Sequence, residues 1–177
     1  MVRTLEHLFG AESPASGREL LCDRTFDLSS VASARAALAE HARARGLTDI
    51  DLTKFVLAVH EVMINSVRHG GGGGRLLLWC TADALHCHVD DDGPGIPPSL
   101  RNLRRRRPPV GRIGAGHGLW LAGQVCPGVR ITDRAGGGAE VCLTYPLPGR
   151  GGPDQGAAAP GNCSPPGSGE ASASGRR

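Results

Sequence analysis

Aromatic residues are nearly missing from this chain: Phe, Trp and Tyr together make up 3% of 177 residues. A core must therefore rest on Leu, Val, Ile and Ala. No apolar run approaches the ~20 residues that a membrane-spanning helix needs, which excludes that class. The opening segment, Met1 to Gly10, mixes Arg3, Glu6 and His7 with its apolar residues and lacks the hydrophobic centre of a secretory signal. The 6 cysteines are Cys22, Cys80, Cys87, Cys126, Cys142 and Cys163, and none forms a C-x-x-C pair. Reduced thiols in a cytoplasmic protein are the expectation. A zinc site from Cys80, His86, Cys87 and His88 is disfavoured, because alternate residues of a strand face opposite ways. The formal net charge of +3 is too small to point to nucleic acid, which calls for a concentrated basic face.

What is present fits one globular domain with tails: 40% of residues are hydrophobic and 21% charged. Residues 1–20 show no sustained periodicity and read as a flexible segment. Residues 148–177 are mostly Gly, Pro, Ala and Ser, too poor in apolar surface to offset the entropy of ordering, and read as a disordered tail. The folded unit is then residues 21–147.

Within it, Thr25 to Leu28 reads as a short strand. Ser29 or Ser30 is placed to cap a helix through Val31, Ala34, Leu38 and His41 that ends near Gly46. Asp49 or Asp51 is placed to cap a second helix, whose apolar residues Leu52, Phe55, Val56, Val59, Met63 and Val67 follow helical spacing as far as His69. The run Gly70 to Gly74 stops it. Leu76 to Cys80 and Leu85 to Val89 read as strands about a turn at Ala82-Asp83. His117 to Val125 reads as a short helix. Val129 to Thr132 and Glu140 to Tyr145 form a last hairpin around Gly136 to Gly138. The order implies an α/β (α+β) two-layer sandwich, a mostly antiparallel mixed sheet with helices on one face.

Polar residues then fall into an ordered series. Glu61, Asn65 and His69 recur at i, i+4 and i+8 and share one helix face. An isolated helix would carry such a stripe merely as a solvated face. Here an acidic turn, Asp91-Asp92-Gly93-Pro94-Gly95, and a glycine loop, Gly114-Ala115-Gly116-His117-Gly118-Leu119, follow downstream. Asn65 offers a carbonyl oxygen suited to Mg²⁺. Glu61 is placed to take a proton from a group that attacks a phosphate. Asp91, at a strand end, suits an exocyclic amine such as that of adenine. The glycine loop opens a helix, and amides there attract phosphate. It is no P-loop, since no Gly-Lys-Ser/Thr follows. Between the two loops, Arg101, Arg104, Arg105, Arg106 and Arg107 form a basic run. Ordinarily that is solvated charge; alternatives are a mobile lid bringing cations to phosphates, or a contact for an acidic partner.

Glu-x-x-x-Asn-x-x-x-His, Asp-x-Gly-x-Gly and Gly-x-Gly-x-Gly-Leu, in that order, resemble the N, G1 and G2 boxes of the GHKL (Bergerat-fold) ATPases. That family includes gyrase, heat-shock chaperone, histidine kinase and mismatch-repair ATPases. The compact unit and the phrase Asn-Ser-Val-Arg-His-Gly are most similar to bacterial anti-sigma-factor serine/threonine kinases, over about Thr25 to Pro146. The resemblance implies the Bergerat fold with ATP and Mg²⁺ as cofactors. It implies Glu61 as catalytic base and Asn65 as metal ligand. Asp91 would bind adenine, with Gly93 and Gly95 shaping its turn, and His69 would lie near the nucleotide. Gly114, Gly116, His117, Gly118 and Leu119 would form the phosphate loop. It also implies, as partners, a sigma factor and an antagonist protein phosphorylated on Ser or Thr. A homodimer and a cytoplasmic location are implied too, with no direct contact to nucleic acid or membrane.

Two other readings stand beside it. A non-catalytic module would use ATP only to hold its shape while binding a sigma factor or antagonist. A histidine-kinase catalytic domain would call for an upstream helical hairpin bearing a phosphoacceptor His, for which Met1 to Leu21 is too short. The sequence also departs from the family pattern. Gly138-Ala139 stands where Gly-Thr is common, Ser66 follows Asn65 where Ala is common, and the glycine run from Gly70 is long.

Overall fold

A computed structural model describes residues 17–101, 103, 117–134 and 136–149 of the chain. Five strands form a single sheet in the order β1-β2-β3-β5-β4. They are β1 (Glu19–Asp27), β2 (Gly73–Cys80), β3 (Ala84–Asp90), β4 (Gly128–Asp133) and β5 (Ala139–Pro146). Each neighbouring pair is antiparallel, so the mixed sheet expected from the sequence is uniform. The helices are α1 (Val31–Ala44), α2 (Asp49–His69), the short α3 (Pro98–Arg101) and α4 (His117–Val125).

One main core lies between the sheet and the helices. Leu38, Phe55, Val59, Met63, Leu76, Leu78, Leu85 and Leu143 are its most enclosed members, and Leu119 joins it from α4. Aliphatic residues dominate it, as the scarcity of aromatics requires. Strand alternation splits the cysteines and histidines as expected. Cys80 and Cys87 belong to this core, while His86 and His88 lie on the other face. No group of metal-ligating side chains forms among the described residues. On that second face Leu77, Trp79 and Cys142 make a small buried cluster, and the His86 ring stacks on Trp79 at 5.4 Å. Cys22, Cys80, Cys87 and Cys126 are buried thiols, whereas Cys142 is disulfide-bonded, which corrects the expectation of uniformly reduced thiols.

The strand β1 begins at Glu19, six residues before the stretch Thr25 to Leu28 read from the sequence. It is an edge strand with an irregularity between Leu20 and Cys22, and only Cys22 and Phe26 are buried, so alternation is faint. The glycine run divides in two. Gly70 ends α2, whereas Gly73 and Gly74 belong to β2 and pair with Asp27 and Phe26. A Cβ on Gly73 would meet the Phe26 carbonyl at 2.2 Å, so the approach of β1 demands glycine there.

The caps also differ from expectation. Ser30 is the N-cap of α1, but its hydroxyl turns back to the Asp27 carboxylate, and that carboxylate accepts the Ser30 N–H at 2.9 Å. The Ser29 and Ser30 hydroxyls together hold the Asp27 carboxyl down at about 2. Thr48, not Asp49 or Asp51, is the N-cap of α2. Asp51 instead accepts the Tyr145 hydroxyl at 2.8 Å and ties the start of α2 to the end of β5. Beneath that bond, Phe55 packs on Tyr145 with ring centroids 5.7 Å apart.

Among the described residues no helix is long and apolar enough to cross a membrane. Phe55→Ala should destabilise the domain by about 3–5 kcal/mol, because it empties a closed site under the helix that carries the polar stripe. Urea unfolding followed by circular dichroism measures it. A loss below ~1 kcal/mol would mean that α2 is not anchored there.

Candidate functional site

Val62, Met63 and Ser66 of α2 are buried, which sets the polar line of Glu61, Asn65 and His69 along the rim of the helix. Glu61 and Asn65 are half-buried and His69 is exposed. No hydrogen bond to another described residue engages the Glu61 carboxylate or the Asn65 amide. Both are thus left available at a partly desolvated position.

The first turn of α4 lies directly against this line. A Cβ on Gly118 would come within 2.5 Å of Glu61 Oε2, so a side chain there would displace the carboxylate from this position. Leu119 and Ala122 fix the helix by burial in the core. On the other side a Cβ on Gly123 would meet that of Leu103 at 2.4 Å. The His117 ring nitrogen Nδ1 is buried without a partner. Gly114 and Gly116, predicted for the same loop, lie outside the described residues, as do Arg104 to Arg107.

At the far end of α2 sits Asp91, 5% exposed. It follows β3 and lies beside the start of β5, since those strands pair with Asp90 opposite Glu140. Its N–H donates to the Ala139 carbonyl at 3.0 Å. Its Oδ1 accepts the N–H groups of Ala139 and Gly93, each at 3.1 Å. Oδ2 accepts no hydrogen bond among the described residues. Glycines close around it. A Cβ on Gly70 would fall 2.4 Å from Asp91 Cγ, and one on Gly93 would fall 2.7 Å from the His69 carbonyl oxygen. Gly95 and Gly138 have φ of +82° and +94°, conformations that favour glycine. Ala139 is 1% exposed, so where the family pattern carries a threonine this site has a buried methyl and a backbone donor.

The two ends are separated by the length of helix between Glu61 and Gly70, roughly 13 Å at 1.5 Å per residue. One end offers a carboxylate with a free oxygen in a glycine-walled recess, suited to an amine donor. The other offers Glu61, Asn65 and the N-terminus of α4, suited to phosphates and a hard cation. That donor set fits Mg²⁺ held mainly by phosphate oxygens, with Asn65 as a protein ligand. Burial pushes the neighbouring Asp90 carboxyl up, against the pull of His88, Arg134 and Arg75.

Arg101 corrects one expectation. Its guanidinium grips both oxygens of Asp133 at 2.9 and 2.6 Å and the Ile96 carbonyl at 2.7 Å. It braces the segment after the acidic turn and is not a free lid cation. Sequence reasoning also missed Gly70 and Gly138 as walls of the Asp91 recess. The signal for Gly70 was its place immediately after the predicted helix end.

Gly70→Ala should destabilise the fold by about 1–3 kcal/mol, since the new methyl collides with the Asp91 carboxyl. In an Asp91→Ala background the penalty should shrink markedly. Equal penalties in both backgrounds, measured by urea unfolding, would show that the two residues do not meet.

The family of histidine kinase-like ATPase domains matches residues 25–145. A search of curated proteins gave no match. Among solved structures, the RsbU and RsbW domains of Rv1364c from Mycobacterium tuberculosis share the fold at a TM-score of 0.51 and 20% identity. The match covers 71% of this chain and 32% of that one. The mycobacterial sensor histidine kinase MprB aligns at a TM-score of 0.47 and 22% identity, over 71% of this chain and 98% of that one. The histidine kinase domain of the E. coli osmosensor EnvZ aligns at 0.42 and 19%, over 75% and 96%. The open five-stranded antiparallel sheet under its helices, with the three boxes in order, is that of the Bergerat fold. The chain belongs to the histidine kinase-like ATPase domain family, the GHKL ATPases.

Proposed function

We propose that this domain binds ATP with Mg²⁺ and transfers the γ-phosphate to a serine or threonine of a small antagonist protein, while also holding a sigma factor. The observation that carries the reading is the pairing of Glu61 with Gly118, which sets an uncommitted carboxylate against the N-terminus of α4. Asp91 Oδ2 would accept the exocyclic amine of adenine, and the glycines around it exclude side chains from the base. The amides opening α4 would face the phosphates. Mg²⁺, with Asn65 as its protein ligand, would screen the phosphate charge.

In the transfer step the acceptor hydroxyl oxygen would bond to the γ-phosphorus and the bond from that phosphorus to the bridging oxygen would break. ADP leaves with the bond electrons. Glu61 is placed to take the hydroxyl proton.

A second reading is favoured by Ala139. Its buried methyl brings no hydroxyl to the nucleotide end, and a domain that only binds ATP, as a shape-dependent clamp on a sigma factor or antagonist, would tolerate that. The clamp gives no reason for Glu61 to be needed.

Asp91→Asn should weaken ATP binding by at least about tenfold in calorimetric titration, because an amide cannot match the carboxylate as an acceptor. Unchanged affinity would remove Asp91 from the base site. Glu61→Ala should leave ATP affinity within about threefold of wild type and lower phosphate transfer to antagonist proteins of the same genome by about 10²–10⁴-fold. Transfer at the wild-type rate would rule out Glu61 as the base. No transfer by the wild type, with ATP bound and a sigma factor retained, would favour the clamp.

A further inference from the structure

We infer that Arg134, at the end of β4, is a positioning residue for base recognition: it sets the orientation of Asp91 and so the preference for adenine. The inference rests on the nucleotide reading above.

Three aspartates, Asp90, Asp91 and Asp92, follow one another at the end of β3, and their mutual repulsion opposes a single turn geometry. Arg134 reaches all three. Its Nη1 donates to the Asp91 carbonyl at 3.2 Å and to Asp92 Oδ1 at 2.5 Å, and its Nε lies 4.0 Å from Asp90 Oδ2. The bond to the Asp91 carbonyl matters most. It fixes the peptide plane that follows Asp91, just as the Ala139 backbone fixes the side preceding it. With both flanks held, the Asp91 carboxylate has one direction in which to present Oδ2.

The arginine is itself held by a closed turn. Its N–H donates to the Gly138 carbonyl at 3.3 Å, and its carbonyl accepts the Gly137 N–H at 3.1 Å. Gly138 presses on the same Asp91 carbonyl, where a Cβ would lie 1.9 Å away. The preceding residue, Asp133, is the anchor of the Arg101 brace. The β4–β5 turn thus serves as the back plate of the recess, and Arg134 is its contact with the acidic run. At 35% exposure the Arg134 side chain is partly shielded, so its bond to the Asp91 carbonyl is less open to solvent than its pair with the exposed Asp92.

The test compares ATP with inosine triphosphate, which carries a carbonyl where adenine carries the amine. The wild type should prefer ATP, and Asp91→Asn should erase the preference. Arg134→Ala should lower the ATP-to-inosine-triphosphate affinity ratio by at least about fivefold, the scale of a misaligned hydrogen bond. Arg134→Lys should restore part of it. In the Asp91→Asn background Arg134→Ala should leave the ratio unchanged.

A purely structural role would lower the melting temperature and weaken both nucleotides equally; an unchanged ratio in Arg134→Ala therefore overturns the inference. Should that variant fail to fold, Asp92→Ala decides. It removes the tightest partner of Arg134 from a side chain that is 90% exposed, and should lower the ratio about twofold. An unchanged ratio there is equally fatal. A wild type that binds neither nucleotide would overturn the nucleotide reading and this inference with it. A wild type that prefers ATP through Asp91 but not through Arg134 would overturn this inference alone.

Discussion

The placement of one buried carboxylate governs the arrangement of this domain. Asp91 places a polar carboxyl group in an almost fully enclosed position, so it must be held by donors. Two backbone N–H groups, from Gly93 and Ala139, supply them. For both to converge on one oxygen, β5 must lie beside β3, although α4 and β4 intervene in the chain. For the carboxyl to fit at all, the end of α2 must carry a glycine at position 70. Sheet order, helix termination and the glycine pattern therefore answer to the same atom group.

Where α2 meets α4 the contact is softer and the chemistry different. Gly118 sets the first turn of α4 against the Glu61 carboxylate. A side chain there would push that flexible carboxylate aside, away from the helix N-terminus. The buried side chains of α2 are apolar apart from Ser66, and Tyr145 fastens the beginning of the helix through Asp51. A helix of known rise thus spaces the Asp91 carboxyl from Glu61 and the start of α4 by roughly 13 Å.

Much of this was legible in the residues. The body of α2 followed from apolar spacing, because it buries a single stripe against one core, and the bounds of α4 match the short helix read over His117 to Val125. The centres of β2, β3 and β5 were equally plain. The first half of β1 was not, because an edge strand with an irregular register and two buried residues lacks alternation. Gly73 and Gly74 gave no sign of strand, since a glycine has no side chain to show which face it occupies. The caps failed for another reason. A serine or aspartate next to a helix can satisfy several partners, and Asp27 outcompeted the helix for the Ser30 hydroxyl. Of the candidate site, the residues on α2 and Asp91 could be chosen by spacing and chemistry. Arg134 could not, because its role arises from the folding of the β4–β5 turn onto a distant acidic run, and no motif announces it.

The central claim is that a single nucleotide spans from the Asp91 recess to the start of α4. Amide chemical shifts of the isotope-labelled protein, followed during titration with Mg²⁺ and a non-hydrolysable ATP analogue, test it most directly. Gly70, Gly93 and Ala139 should move together with Gly118 and Leu119, along one saturating curve. Thr81 and Gly128, at the opposite end of the sheet, should stay in place. Shifts confined to one of the two ends, or clustered around Arg45 and Thr81 instead, would contradict the claim.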